Sequence, residues 1–157
     1  MMFVWTEVAK PLSSTAGAFS DAVYNRSSLP LREFEAARVR IAQINDCMVC
    51  LGWRTARDVP GRAEDPGAVS EEYYANIGDL GWEGFSERER LAAEFAERFA
   101  LDHTAMDDEL WGRLHASYSD EELVDLALCV SAWLAFGRIN RVFDVDGACR
   151  VPVAATT

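Results

Sequence analysis

The sequence predicts an all-α protein, and three observations lead to this fold class. The chain has 157 residues, of which 50% are hydrophobic, so it is long enough for a single domain over residues 1–157 with its own core. No run of strand-like alternation is long enough to predict a sheet. Two Ser-x-x-Glu capping boxes, at Ser86–Glu89 and Ser119–Glu122, mark helix starts.

The local signals place each helix in turn. Pro30 suits a first helical turn, because its missing N–H has no partner to lose there. Asn45-Asp46 indicates a break with a new N-cap, and a helix that starts at Cys47 should run to Asp58. Residues 60–70 look like a loop, and we expect the tail from residue 144 to be loosely ordered. The predicted helices are residues 14–25, 30–45, 47–58, 70–77, 86–100, 107–117 and 119–143.

The last of these helices is apolar nearly all round between Leu123 and Phe136. Such a helix is either central to a core or buried against another subunit. Because a 17.5 kDa chain has too little protein to cover it completely, we expect a core helix that also contributes to a homo-oligomer.

Charge and composition exclude several classes of partner. Fifteen Lys and Arg against 26 Asp and Glu give a net charge of −11, which disfavours nucleic acid and anionic membrane surfaces. We find no membrane-spanning segment and no signal peptide, so we expect a cytoplasmic protein. Four cysteines in such a chain do not indicate a disulfide scaffold.

The motif that carries chemistry is Cys47-Met48-Val49-Cys50 at a predicted helix start. The two thiols lie on one face, and the helix N-terminus with nearby Arg54 and Arg57 favours their thiolate forms. Zinc is an improbable alternative, because no second ligand pair is present. A thioredoxin-type motif should follow a strand, and none is predicted. The alternative that the two cysteines are small core residues with no chemical role also stays open.

Glu35 lies twelve positions before Cys47 on an apolar stripe of the preceding helix. A carboxylate in such a place tends to have a raised pKa, which suits a proton shuttle. The alternative is an ion pair with Arg32 or Arg38.

Taken together, these residues resemble the carboxymuconolactone decarboxylase superfamily, in particular its alkylhydroperoxidase D-like branch. The resemblance rests mainly on Glu35, eleven intervening residues, and the Cys47-x-x-Cys50 pair. It begins at Leu31-Arg32-Glu33-Phe34-Glu35 and covers roughly residues 12–143, most of the single domain. The resemblance implies an all-α domain of about six helices that oligomerises through apolar helices, usually as a trimer or hexamer.

The resemblance also implies roles for individual residues. Cys50 would attack a hydroperoxide, Cys47 would resolve the product as a disulfide, and Glu35 would serve a proton relay. The family has a histidine four residues after the second cysteine, where this chain has Arg54, so the relay is broken. Arg54 could stabilise the thiolate as a fixed cation or form a salt bridge with Glu35.

We therefore expect a peroxidase-type oxidoreductase, a thiol-dependent antioxidant protein of weak or unusual activity. It would use a hydroperoxide and an external dithiol reductant and would need no metal or organic cofactor. Two alternatives remain open. The chain could bind a small molecule in a tryptophan-lined pocket, or it could perform lactone decarboxylase-like, non-redox chemistry with Glu35.

Overall fold

The computed structural model describes residues 5–62 and 69–145, and the regular elements in these ranges are all helical, which confirms the predicted fold class. Cys149, nearly all of the predicted tail and most of the 60–70 loop lie outside the described residues. The helices are α1 (Lys10–Arg26), α2 (Leu31–Ile44), α3 (Met48–Gly52), α4 (Thr55–Asp58), α5 (Glu71–Asn76), α6 (Glu87–Leu101), α7 (Asp108–Ser117) and α8 (Asp120–Phe143), with 3-10 turns at Trp5–Glu7, Pro60–Arg62 and His103–Ala105.

Helix α2 is the centre of the domain and packs mainly against α6 and then against α8. Its apolar face is fully buried at Phe34 and Ile41, which meet Leu91 of α6 and Leu126 of α8 in one hydrophobic core. Burial of such a side chain contributes about 1.5–3 kcal/mol. The core therefore holds in place the helix that carries Glu35.

Both predicted capping boxes are confirmed. The Ser86 and Ser119 side chains accept hydrogen bonds from the backbone N–H groups of Glu89 and Glu122, and the two glutamates bind back to the cap residues. Each cap satisfies two N–H groups that the helix itself leaves unpaired.

The predicted single helix over residues 47–58 is wrong, because Trp53 and Arg54 are extended and separate α3 from α4. Other groups stabilise this break. The Arg38 guanidinium donates to the carbonyls of Cys50 and Trp53, and the Asp58 carboxylate accepts from the Arg54 N–H at 2.8 Å. This break divides one of the seven helices predicted from local signals, so the described residues form eight α-helices, where the resemblance implies about six.

The prediction that the last helix is a core helix is confirmed for one face of α8, where Leu126 and Trp133 are buried. Its other face leaves Val124 60% and Leu128 51% exposed. Among the helices of the described residues, none combines the length and the apolar character needed to cross a membrane.

Candidate functional site

Cys47 and Cys50 form a disulfide at the start of α3, with their Cα atoms 5.2 Å apart. Cys47 is the N-cap of this helix, and its Sγ accepts the Cys50 N–H at 3.3 Å. Cys47 is fully buried, whereas Cys50 is partly exposed. Of the two cysteines, Cys50 is therefore the more accessible to a small molecule from solvent.

A turn and an anchor set the position of this pair. Asp46 adopts a left-handed conformation with φ 50°, which aspartate tolerates better than most residues and which redirects the chain from α2 into α3. The preceding Asn45 is buried, and its Nδ2 donates to the carbonyls of Trp133 at 3.1 Å and Leu134 at 3.3 Å on α8.

Gly137 makes this anchor possible. A Cβ at position 137 would lie 2.5 Å from the Asn45 Nδ2, so only glycine lets Asn45 approach α8 this closely. The cysteine pair is thus tied to α8 through Asn45, the C-cap residue of α2.

Glu35 is fully buried and accepts four hydrogen bonds from three side chains. Arg38 donates from Nε at 2.6 Å and from Nη2 at 2.9 Å, the Tyr74 hydroxyl donates at 2.6 Å, and the Thr55 hydroxyl binds Oε1. Both carboxylate oxygens are therefore fully occupied.

The prediction that the pKa of Glu35 is raised is wrong. Burial by itself raises the pKa of this carboxyl, but the hydrogen bonds and charge of Arg38, helped by the Thr55 and Tyr74 hydroxyls, outweigh burial and hold the pKa below its ordinary value. Of the two partners considered from the sequence, Arg38 forms the ion pair, while Arg32 binds Glu89. Glu35 is an anion at neutral pH.

Arg38 connects Glu35 to the cysteine pair. Its Nη1 donates to the Cys50 carbonyl at 2.8 Å, and its Nη2 donates to the Trp53 carbonyl at 2.8 Å. Arg38 is buried, with its guanidinium facing a carboxylate and two carbonyls. The sequence signal for this residue is its spacing of three positions from Glu35, which places both on one helix face.

Arg54 is the N-cap of α4 and lies outside the short helix that contains Cys50. Its guanidinium binds Glu71, with Nη2 to Oε2 at 2.9 Å, and stacks 3.9 Å from the Tyr74 ring centroid. It does not form the salt bridge with Glu35 that the sequence left open, because Arg38 occupies that carboxylate. Arg57 pairs with Asp58, and hydrogen bonds from Arg57 and the Arg54 backbone lower the pKa of Asp58 to about 2. Both cations expected to favour a thiolate are thus already paired with carboxylates.

Thr55 and Tyr74 are site residues that the sequence analysis missed. They lie 20 and 39 positions from Glu35, so no local pattern indicates their contact with it. Burial, followed by the Glu35 charge, raises the pKa of Tyr74, so its hydroxyl stays protonated and donates.

The two histidines occupy other parts of the molecule. His115 stacks on Trp111 in α7, and its Nδ1 lies 3.5 Å from Asp120 Oδ1, while His103 is exposed after α6. Over residues 5–62 and 69–145, no three His, Cys, Asp or Glu side chains are grouped so that they could hold a metal ion.

A cavity of about 110 Å³ adjoins Cys50. Tyr24, Trp133 and Phe136 give it aromatic walls, and Arg38 and Asn140 give it polar edges. Of the five tryptophans, Trp133 lines this cavity, whereas Trp82 packs on Tyr73 and Phe85 in the core region.

Comparison with known proteins leaves the function open. No family model matches the chain. It is 26% identical over 116 residues to the uncharacterized protein YdfG of Bacillus subtilis (strain 168), an alignment that covers 73% of this chain and 76% of that protein. It is 34% identical over 70 residues to the uncharacterized protein YnjA of Escherichia coli (strain K12), covering 43% of this chain and 38% of that protein.

Proposed function

We propose that this protein is a thiol-dependent peroxidase of the alkylhydroperoxidase D-like branch of the carboxymuconolactone decarboxylase superfamily. The observation that carries the proposal is the Cys47–Cys50 disulfide with its asymmetric exposure. Cys50 lines a cavity, and buried Cys47 is bonded to it and can therefore resolve the product.

The reaction begins with the reduced pair. The Cys50 thiolate attacks the terminal peroxide oxygen, the O–O bond breaks, and the departing alkoxide takes a proton from water to leave as an alcohol. Cys50 is then a sulfenic acid. The Cys47 thiolate attacks the Cys50 sulfur and expels hydroxide, which becomes water on protonation, and the disulfide forms. An external dithiol returns two electrons and two protons and is itself oxidised to a disulfide.

Glu35 acts here as an orienting carboxylate rather than as a proton carrier. Its charge holds Arg38, and Arg38 holds the backbone of Cys50 and Trp53. The pairing of Arg54 with exposed Glu71 leaves Arg54 a smaller electrostatic role than the sequence suggested.

The apolar surface of α8 supports the expected homo-oligomer. Exposed Val124 and Leu128 are four residues apart and lie on one face of the helix, next to Phe19 of α1. We propose that a second copy covers this face in a trimer or hexamer. Light scattering on Leu128→Glu against the parent protein tests it, since a charge there should reduce the assembly mass.

Mass spectrometry of the reduced protein after an equimolar amount of tert-butyl hydroperoxide tests the peroxidase proposal. We expect rapid, selective formation of the Cys47–Cys50 disulfide. Cys47→Ser should stop at a Cys50 sulfenic acid that dimedone traps, and Cys50→Ser should leave Cys47 reduced. Cys129→Ser is the matched control and should react like the parent protein.

If both thiols stay reduced, the peroxidase proposal fails and the small-molecule-binding alternative takes its place, supported by the aromatic walls of the cavity beside Cys50. Binding, or any non-redox turnover that uses Glu35, would survive replacement of both cysteines by serine.

A further inference from the structure

The cavity beside Cys50 is small and has three aromatic side chains in its lining. Its volume of about 110 Å³ is below the roughly 150 Å³ of an apolar cavity that accommodates benzene. Tyr24 and Trp133 form one wall, with ring centroids 6.5 Å apart, and Phe136 forms another. We expect a cavity of this size to favour a compact alkyl group over an aryl-substituted group.

Two of the polar side chains that line the cavity are already engaged. Arg38 is bound to Glu35 and to the Cys50 and Trp53 carbonyls, and the Asn140 Oδ1 accepts a hydrogen bond from Trp5. Most of the lining surface is apolar, so the cavity offers a ligand mainly apolar contact beside Cys50.

Trp5 supports two lining residues from behind. Its indole stacks on the Phe136 ring at 5.7 Å with an interplanar angle of 20°, and its Nε1 donates to Asn140 Oδ1 at 2.9 Å. Phe19 of α1 meets the same Phe136 ring edge-on at 6.2 Å. The N-terminal 3-10 turn thus holds Phe136 against the cavity, although Trp5 and Phe136 are 131 positions apart in the sequence.

We propose that this cavity is the route by which small apolar molecules reach the Cys50 sulfur, and that Trp5 limits their size by holding Phe136 in place. The proposal rests on the proposed peroxidase function for its substrate class, which is a compact alkyl hydroperoxide. The alkyl group would lie between Tyr24, Trp133 and Phe136, with the O–O bond at Cys50.

The test compares the rates at which tert-butyl hydroperoxide and cumene hydroperoxide form the Cys47–Cys50 disulfide. Each rate is divided by the rate at which the same peroxide oxidises a small free thiol, which removes the difference in intrinsic reactivity between the two peroxides. We expect the parent protein to prefer the tert-butyl compound by about tenfold or more, as apolar pockets discriminate size. Trp5→Ala and Phe136→Ala should each narrow this preference to about threefold or less.

Two controls keep the test specific. Hydrogen peroxide has no carbon group, so its rate should stay unchanged in Trp5→Ala if that variant is folded. Phe99→Ala removes a partly buried aromatic ring that packs on Phe95 in α6, and it should leave the preference as in the parent protein. Equal normalised rates in the parent protein, or an unchanged preference in Trp5→Ala, would overturn the proposal.

A second readout separates this inference from the peroxidase proposal. The reduced protein is alkylated with the compact reagent iodoacetamide or with the aryl-substituted N-phenylmaleimide. The rate of modification at Cys50 is measured by peptide mapping and divided by the rate of the same reagent with a small free thiol. A size preference that Trp5→Ala relaxes supports the route even if no peroxide oxidises the pair. Absence of any size preference overturns the route, whatever the peroxides do.

Discussion

Glu35 and Arg38 form a fully buried ion pair one turn apart on α2, and the same guanidinium binds the carbonyls of Cys50 and Trp53. The central helix of the core thereby holds the end of the short helix that carries the cysteines. Loss of either partner leaves the other as an uncompensated charge in the core.

Arg38→Met should lower the free energy of unfolding by about 3 kcal/mol or more, because it leaves the Glu35 charge buried and unpaired. Arg40→Met on the same helix is the control, since the Arg40–Glu97 pair is partly exposed and should contribute less than about 1 kcal/mol. Urea unfolding monitored by circular dichroism measures both. Similar losses in the two variants would contradict the buried pair.

The acid sensitivity of the fold should depend on Glu35. Because the pKa of Glu35 is lower in the folded protein than in the unfolded chain, its stabilising contribution is present above the unfolded pKa and declines as pH falls. The difference in unfolding free energy between the parent protein and Glu35→Gln should shrink from neutral pH to about pH 3.5, by at most about 1.4 kcal/mol for each pH unit below the unfolded pKa. A difference independent of pH would show that Glu35 does not titrate below its ordinary range.

Gly137→Ala should destabilise the protein by about 1–3 kcal/mol, because the new Cβ displaces Asn45 and leaves buried polar groups unpaired. Gly112→Ala is the matched control: Gly112 lies in a helix, and a Cβ there meets nothing within 4 Å. That change should be neutral or stabilising by up to about 1 kcal/mol. In an Asn45→Ala background the Gly137→Ala penalty should largely disappear. Persistence of the penalty would mean that Asn45 is not its cause.

A histidine at position 54, where the proposed family has one, should not by itself create a proton relay. Arg54→His raises peroxide turnover only if the histidine can reach Glu35, whose Oε2 is already taken by Tyr74 and Arg38. We expect stopped-flow turnover to be unchanged in Arg54→His and raised in the Arg54→His, Tyr74→Phe double variant, with Tyr74→Phe alone as the control. A rise in the single variant would show that the Tyr74 hydroxyl is no obstacle.

Cys129 should stay unreactive in the native protein. It is buried in α8, and burial raises the pKa of its thiol to about 12. Iodoacetamide near neutral pH should leave it unmodified in the folded protein and alkylate it after unfolding in guanidinium chloride. Peptide mapping distinguishes Cys129 from the reduced Cys47 and Cys50. Fast alkylation of Cys129 in the folded protein would contradict its burial.

Local sequence patterns predicted the helices well where the deciding groups are close in the chain. The capping boxes at Ser86 and Ser119 work within one turn, so each helix start could be read from four residues. The prediction over residues 47–58 was wrong because the carbonyls at its break are satisfied by Arg38, a side chain from another helix.

The sequence by itself determined the all-α class, the adjacency of Cys47 and Cys50 and the presence of Glu35 on an apolar stripe, because periodicity and short spacing are local properties. Only the tertiary structure decided the charge state of Glu35 and the partner of Arg54. Burial alone would favour a neutral Glu35, and donors from Arg38, Thr55 and Tyr74 reverse that preference. Thr55 and Tyr74 lie outside α2 and reach Glu35 only once the chain has folded, because a carboxyl pKa responds to atoms close in space wherever they lie in the sequence.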